Sequence, residues 1–342
     1  MTRIRLNELL EKIRTVRAAM LGDICLDVYW FADMRRSELS RETPHFPLPV
    51  MEECMSLGGG GNVAVNLAAL APTSVVAIGV AGEDWRGVEL LRLFSEQDID
   101  ASSVRRVRGM VTNAYCKPMR AGISKLVYED PRLDFHNYIP LDPVEEDAII
   151  ALLDKIAPEI DVLCVSDQLP CGVVTERVRE HVMRLARNGL TVVVDSRDRI
   201  GLYREVILKP NEIEGVCAAG IGNVRDVDGF AQAALVLSQE KHCGVLMTIG
   251  SNGSLYADGK TVTHIHAHDI SGDIDFVGAG DTFLSGFSLA VAAGASYSEA
   301  AFIATLCSEV TIQKIGTTGT ARAEEVLAWY DTVMGRTDNV SF

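Results

Sequence analysis

Several features that are common in other protein classes are scarce in this sequence. Only 8 of the 342 residues are cysteine, and they stand singly, with no Cys-x-x-Cys pair and no spacing that suits zinc. This pattern excludes a disulfide-stapled scaffold and predicts buried thiols in a reducing compartment. The chain also lacks repeats, low-complexity tracts and linkers, so we expect one large domain over residues 1–342.

Positive charge is in deficit as well. Lys and Arg number 32 against 47 Asp and Glu, which gives a formal net charge of -15 at pH 7. Nucleic acids and anionic membrane surfaces attract the opposite balance. We therefore expect a small-molecule ligand, with no nucleic acid and no membrane as partner.

Long hydrophobic runs that suit a bilayer are missing too. The uncharged stretch 55–82 contains four consecutive glycines and Pro72, which a lipid-facing helix does not favour. The first residues form an amphipathic pattern through Leu6, Leu9 and Ile13 rather than a signal peptide. These observations predict a cytoplasmic protein.

Apolar runs of strand length alternate with amphipathic runs of helix length along most of the chain. The strand-like runs are 18–24, 74–80, 162–166, 191–195, 205–208 and 244–248. The helix-like runs are 61–71, 84–97, 143–157, 173–188, 211–219, 226–239, 280–293, 297–313 and 321–334. This alternation predicts an α/β fold, with a doubly wound, mainly parallel sheet and helices on both faces.

Two segments interrupt the alternation, approximately 28–57 and 110–138. They are rich in Pro, Arg and aromatic residues and alternate like exposed strands. We interpret them as a small β-sheet lid that projects from the main domain. Basic residues in and beside these segments would bind a phosphorylated sugar or merely solvate an exposed sheet, and the sequence leaves both open; they are Arg35, Arg36, Arg41, Lys125 and Arg132.

The strongest chemical motif is a small-residue turn, 278–280, directly before an apolar helix that carries Asp281 in its first turn. Free backbone amides at a helix start favour an anion, and a carboxylate beside them can accept a proton from an alcohol. From spacing alone, a plain helix-terminus aspartate is an equally good interpretation.

Two other segments can also be interpreted either as ligand-binding sites or as purely structural features. Asn211 and Glu214 lie three residues apart at a predicted helix start, where they would hold a hydrated magnesium ion or form a capping box, and the residues alone favour the box. Thr248, Gly250 and Gly253 follow an apolar strand and form either a ligand loop or a hairpin turn.

The first strand ends in Asp23 and Asp27, and a glycine run opens the helix near Asn62. In a doubly wound sheet the carboxyl ends of the strands face the ligand crevice, so we expect both segments there. Two ordinary turn aspartates are the alternative.

Two further patterns are weaker. Gly59, Gly61 and Ala64 fit a dinucleotide fingerprint, but the preceding run 50–57 is a poor buried strand, which argues against a nicotinamide-dependent oxidoreductase. The histidines at 264, 266 and 268 would share one face of a strand, and no matching carboxylate or cysteine suggests a metal site there.

Taken together and in this order, the motifs resemble the ribokinase-like (PfkB) family of carbohydrate kinases. Segment 275–282 is similar to the C-terminal signature of that family, segment 79–87 to its N-terminal one, and the likeness extends from Gly22 to about Gly319. The resemblance implies a ribokinase-like fold and transfer of the ATP γ-phosphoryl group to a hydroxyl of a sugar or sugar phosphate.

The resemblance also implies roles for individual residues. Asp281 would be the catalytic base, and the amides of Gly278, Ala279 and Gly280 would form the anion hole. Residues implied to bind the sugar are Asp27, Gly58, Gly59 and Asn62. Residues implied to bind ATP are Lys209, Thr248, Gly250 and Gly253. Asn211 and Glu214 would hold Mg²⁺ through water, and Asp275 with the Val277 carbonyl would hold a monovalent cation such as K⁺.

Within the family, segments 22–30, 57–66 and 165–167 look most like the kinases of D-glycero-β-D-manno-heptose 7-phosphate. The resemblance therefore implies a heptose 7-phosphate as one acceptor, and a homodimer formed through the lid. Segments 168–171 and 304–309 depart from the pattern of those kinases, which motivates an alternative function: a non-catalytic sugar or nucleotide sensor on the same fold.

Overall fold

The computed structural model describes residues 1–222, 224–316 and 318–338. The strands, in chain order, are β1 (Arg17–Gly22), β2 (Ile24–Asp33), β3 (Val50–Gly59), β4 (Ser74–Gly82), β5 (Asp100–Val107), β6 (Asn113–Ala121), β7 (Tyr128–Glu129), β8 (Leu133–Phe135), β9 (Val162–Asp167), β10 (Thr191–Ser196), β11 (Ile207–Leu208), β12 (Val245–Thr248), β13 (Ser254–Ala257) and β14 (Val262–Ile265).

The helices are α1 (Arg3–Ile13), α2 (Gly60–Ala69), α3 (Trp85–Glu96), α4 (Pro143–Ile156), α5 (Glu176–Arg187), α6 (Glu212–Ala218), α7 (Val227–Lys241), α8 (Ala279–Ala292), α9 (Tyr297–Ile312) and α10 (Ala323–Asp338). Among the described residues, none of these helices is both long enough and apolar enough to cross a membrane.

The larger sheet has the strand order β14-β13-β12-β11-β10-β9-β1-β4-β5. All neighbours pair in parallel except β12 with β13 and β13 with β14, which form an antiparallel edge. The predicted doubly wound, mainly parallel sheet is thereby confirmed.

Alternate side chains of the central strands point into two separate cores. In β1, Ala18 and Met20 join the core under α1, α2, α3, α8, α9 and α10, whereas Ala19 and Leu21 join the core under α4, α5, α6 and α7. Because helices cover both faces, the central strands are continuous apolar runs without polar alternation.

The second, smaller sheet has the order β3-β2-β6-β7, with β8 also paired to β6. Strand β2 leaves the end of β1 after a single residue, Asp23, so the two sheets meet at that point. The outer part of β3, from Val50 to Cys54, is exposed on both faces. The predicted small sheet therefore exists, built from the two segments that interrupt the alternation.

The structure corrects several details of the sequence interpretation. Strand β5 was not predicted, because its pattern includes the charged pair Arg105 and Arg106 at a sheet edge. The three histidines do not share a strand, since β14 ends at Ile265. The run before Gly59 belongs to the exposed second sheet, so the dinucleotide fingerprint lacks its buried strand.

Candidate active site

A cavity of about 940 Å³ opens at the carboxyl ends of the central strands and extends to the second sheet. Its lining includes Asp23 after β1, Asp195 of β10 and Thr248 of β12, together with Asp27 and Tyr115 of the second sheet. This location is where parallel sheets place their ligands, because strand ends and the loops that follow them converge there.

Asp281 lies in the first turn of α8 and lines this cavity. Its Oδ2 accepts a hydrogen bond of 2.6 Å from Nδ2 of Asn62, which is buried on α2. Burial raises the pKa of Asp281 to about 7; Asp195 and Asp27 add to the rise, and the bond from Asn62 opposes it. A carboxylate with a pKa near neutral is suited to accept a proton from a hydroxyl.

The N-terminus of α8 forms an open amide cradle. Gly278 adopts a left-handed conformation with φ of 81°, and no side chain caps the helix. The Ala279 amide donates to the Phe276 carbonyl at 3.2 Å, and among the described residues no acceptor meets the amides of Gly280 and Asp281. The Gly278 amide likewise has no acceptor among the described residues. Of the three predicted amides, those of Gly278 and Gly280 therefore remain for an anion, joined by that of Asp281, whereas the Ala279 amide is occupied.

A buried ion pair lies beside the cradle. Lys209 Nζ and Asp195 Oδ2 are 3.0 Å apart, and both side chains are nearly inaccessible to solvent. A Cβ built on Gly280 would lie 3.8 Å from the same Nζ, so the ammonium is close to the start of α8. Burial alone would lower the pKa of Lys209, but Asp195, with Glu214 and Asp281, raises it overall, which keeps this cation charged.

Asn211 and Glu214 form the capping box of α6 and also line the cavity. Asn211 Oδ1 accepts from the amides of Ile213 and Glu214 at 2.9 Å, and Glu214 Oε2 accepts from the Asn211 amide at 2.9 Å. Burial raises the pKa of Glu214, and its bond from Asn211 opposes that rise. Capping occupies Oε2, which leaves Oε1 as the oxygen of Glu214 for a hydrated cation.

At the second sheet the lining is formed by Asp27, Gly59, Tyr115 and Arg132. Burial raises the pKa of Asp27, whereas Lys117 and Arg132 lower it. The Arg132 guanidinium lies 4.6 Å from the centre of the Tyr115 ring and binds Asp134 through two nitrogens. This end therefore offers a carboxylate, a phenol and a cation to a polar ligand.

Asp23 organises one wall of the cavity. Its carboxylate accepts from the backbone amides of Gln168, Leu169 and Val173 at 2.7–2.8 Å. Gly172 is required for this approach, because a Cβ there would lie 2.0 Å from Asp23 Oδ1. Burial raises the pKa of Asp23 to about 6 although these amides lower it. Asp23 therefore fixes the loop that follows β9, which includes residues 168–171.

Asp275 orders the turn before the cradle. Its Oδ1 accepts from the Val277 amide at 3.0 Å and its Oδ2 accepts from the Gly316 amide at 3.1 Å. Among the described residues no three His, Cys, Asp or Glu side chains cluster as a metal site would require. A monovalent cation here would therefore depend mainly on carbonyl oxygens such as that of Val277.

The structure brings most of the predicted site residues to one cavity. Those that line it are Asp27, Gly59, Lys209, Asn211, Glu214, Thr248, Gly250, Gly253, Ala279, Gly280 and Asp281. Five predicted residues do not line it. Gly58 and Asn62 contact lining residues: a Cβ added to Gly58 would meet Asp27 Oδ2 at 2.6 Å, and Asn62 donates to Asp281. The others are Asp275, Val277 and Gly278, which precede the lining residue Ala279 in the chain.

Sequence reasoning missed several lining residues. Asp195 ends the predicted strand 191–195 and Arg197 follows it, and the same rule that selected Asp23 and Asp27 would have found them. His268 and Glu309 come from a loop and a helix 41 positions apart, and no spacing pattern indicates their contact.

Comparison with known proteins identifies the family of this chain. The model of the "pfkB family carbohydrate kinase" matches residues 35–324. Bifunctional protein HldE of Syntrophotalea carbinolica is 30% identical over 330 residues, which cover 95% of this chain and 65% of that protein. The HldE protein of Geotalea uraniireducens is 32% identical over 335 residues, covering 96% of this chain and 66% of that protein. The chain thus spans slightly less than two thirds of these relatives.

Solved structures share the fold at lower identity. Phosphofructokinase-2 from Escherichia coli, in complex with potassium, superposes with a TM-score of 0.73 and 20% identity, over 94% of this chain and all of that one (100%). Ribokinase from Arabidopsis thaliana, complexed with ribose and ATP, gives a TM-score of 0.69 and 18% identity, over 92% and 98% of the two chains. The predicted ribokinase-like architecture is confirmed.

Proposed function

The chain belongs to the pfkB family of carbohydrate kinases, and we propose that it transfers the γ-phosphoryl group of ATP to a hydroxyl of a sugar phosphate of the heptose 7-phosphate class. Family membership makes it a phosphotransferase with an alcohol acceptor. The observation that carries the proposal is the position of Asp281, a carboxylate with a pKa of about 7 next to an uncapped helix N-terminus.

Each part of the proposed reaction is assigned to particular side chains and backbone amides of the cavity. Asp281 accepts the proton of the attacking hydroxyl, with its carboxylate held by Asn62. The amides of Gly280 and Asp281 hold the phosphoryl oxygens, and Lys209 adds positive charge near them. Asn211 and Glu214 would hold Mg²⁺ through water. The bound ion would neutralise phosphate charge during transfer.

The residues at the two ends of the cavity indicate which end would bind the sugar and which would bind ATP. The second sheet supplies Asp27, Tyr115 and Arg132 at one end, which suits a polyhydroxylated sugar. Thr248, Gly250 and Gly253 also line the cavity, but they lie at the end of β12, four strands away from β1 and the second sheet, and we place the nucleotide there. We assign the sugar to the second sheet and ATP to the opposite end.

A phosphorylated sugar is favoured over a free one by the cations at the sugar end. Arg132 and Arg197 line the cavity, whereas Arg35, Arg36, Arg41 and Lys125 do not. Among the described residues Arg197 has no carboxylate within ion-pair distance. An unpaired guanidinium beside a sugar site is suited to a phosphate group. The likeness to HldE proteins supports the heptose 7-phosphate class.

Two further parts of the proposal concern cations and assembly. We assign a K⁺ site to the Val277 carbonyl with Asp275 nearby; the potassium complex of Escherichia coli phosphofructokinase-2 supports testing it. We also propose a homodimer formed through the second sheet. Its edge strand β3 is unpaired on its outer side within the described residues and exposes Val50 and Met51.

The test is magnesium-dependent release of ADP from ATP across free sugars, sugar phosphates and nucleosides, with heptose 7-phosphate included. We expect release with the sugar phosphate, and a loss of about 10²–10⁴-fold in kcat for Asp281→Asn at nearly unchanged ADP affinity. Full turnover by Asp281→Asn would disprove the assigned base. ATP binding without turnover on any acceptor would instead support the sensor.

A further inference from the structure

The cavity end assigned to the nucleotide contains a polar cluster that phosphoryl transfer does not use. Beyond Gly250 and Gly253 the lining continues through residues 267–270 and then Ile274, Phe276, Thr305 and Ile312. Apolar and hydroxyl-bearing side chains predominate, as expected around a flat heterocycle. His268 and Glu309 lie in the same wall.

Glu309 is a buried carboxylate, 4% exposed, on the inner side of α9. Its Oε1 accepts from the backbone amide of His268 at 2.7 Å, and its two oxygens lie 3.1 and 3.0 Å from Nδ1 of the same residue. Its Oε2 also accepts from Nε1 of Trp329 at 2.7 Å. Three donors therefore hold this carboxylate, and two of them come from His268.

These contacts fix the orientation and the tautomer of the His268 ring. A carboxylate only accepts hydrogen bonds, so the hydrogen of the neutral imidazole must be on Nδ1. The ring also packs edge-on against Phe302, with centroids 5.9 Å apart. The remaining polar atom of the neutral ring is Nε2, which is then an acceptor without a hydrogen. Among the described residues, no partner of this atom is found.

We propose that His268 is a specificity-determining residue that accepts a hydrogen bond from the exocyclic amine of adenine, and that Glu309 is the positioning residue that fixes it. A 6-oxo purine presents an acceptor at the same place, which would leave two acceptors facing each other. The site therefore selects adenine over hypoxanthine and guanine nucleotides. This inference rests on the proposed function, because it requires the nucleotide in this half of the cavity.

The test measures equilibrium binding of ADP and of IDP by titration calorimetry at about pH 8, where an ordinary imidazole is neutral. Because binding rather than turnover is measured, the result does not depend on any acceptor sugar. The two ligands differ at the base position that the proposal concerns. We expect wild-type protein to bind ADP about tenfold more tightly than IDP. His268→Phe keeps a ring but removes the acceptor, and should bring the two affinities within about twofold.

A matched control is available two residues away. His266 is exposed and does not line the cavity, so His266→Phe should retain the wild-type preference. In Glu309→Gln an amide N–H would face one of the three groups that donate hydrogen bonds to Glu309, and the His268 ring would lose its fixed orientation. We expect a lower preference for ADP while the affinity for IDP stays unchanged. That change of ratio separates positioning from a general structural role.

Equal affinity of the wild-type protein for ADP and IDP would overturn the inference, and this measurement needs no variant to fold. A wild-type preference that persists in His268→Phe would also overturn it. Either result can occur together with normal ADP release from ATP and sugar phosphate, which would leave the proposed kinase intact. Failure to bind either nucleotide would refute both the inference and the assignment of ATP to this cavity.

Discussion

At the scale of single residues, the central relation is the contact between Asn62 and Asp281. The amide of Asn62 donates to the carboxylate and thereby stabilises its charged form, while burial has the opposite effect. Asn62 is itself held by Asn66, whose Nδ2 donates to its Oδ1 at 3.1 Å. Burial therefore raises the pKa of the base, and a short chain of two amides, Asn66 and Asn62, limits that rise.

This chain predicts the pH dependence of the reaction. The base must be ionised, so kcat/KM for the sugar should fall about tenfold per pH unit below about 7, the pKa of Asp281. Removal of the amide in Asn62→Ala takes away an interaction that lowers this pKa. The acid limb should then move to higher pH, with activity partly restored under alkaline conditions.

The measurement is kcat/KM between about pH 5 and pH 9, with Asn188→Ala as a control, since Asn188 lies exposed at the end of α5. The control should follow the wild-type profile. An Asn62→Ala profile that is lower but has the same midpoint would show that Asn62 does not tune the base.

A second prediction at this scale concerns Arg197. If its guanidinium binds the phosphate of the sugar, Arg197→Met should raise KM for the sugar phosphate about 10–100-fold and leave KM for ATP nearly unchanged. Arg41→Met, which removes an exposed arginine outside the cavity, is the matched control. A larger effect on ATP than on sugar phosphate would place Arg197 at the nucleotide instead.

At the scale of elements, the N-terminus of α6 combines a structural and a chemical role. Asn211 and Glu214 cap the helix, and the same pair faces the cavity. The two interpretations that the sequence left open are therefore compatible in one geometry. Capping requires only an acceptor oxygen, whereas cation binding requires the negative charge.

Glu214→Gln separates these roles, because the amide retains an acceptor and loses the charge. We expect the unfolding midpoint to stay within about 2 °C while half-maximal activity requires about tenfold more Mg²⁺. The control is Glu299→Gln in the capping box of α9, where Glu299 also pairs with Arg5. That variant should lose stability without a change in Mg²⁺ requirement; identical behaviour of the two variants would contradict a cation role for Glu214.

The helices and strands that could be predicted from the sequence are those with a strong hydrophobic periodicity. Strands β9 and β10 and helices α4 and α8 match their predicted runs within two residues, because buried strands and amphipathic helices leave strong periodicities. Strand β5 escaped prediction, since an edge strand with charged residues resembles a loop. The Asn62–Asp281 and His268–Glu309 contacts could not be derived from spacing, because they depend on how α2, α8 and α9 pack.

At the scale of the whole molecule, the second sheet joins the core at one end of its strands and is open to solvent at its outer edge. One face of its strands covers the cavity, while the outer strand β3 leaves its backbone groups and Val50 and Met51 to solvent. Exposed, unpaired edges favour association with another chain. A pair of such sheets would bury these edges and hold the sugar end of both cavities in place.

Met51→Glu tests this assembly. A charge on the edge strand opposes pairing, so sedimentation velocity should show a shift from dimer to monomer. The control is Val88→Glu on α3, because Val88 is 57% exposed and Met51 is 55% exposed. The control should leave the sedimentation coefficient of wild type unchanged. If Met51→Glu sediments as wild type does, β3 is not the contact between the two chains.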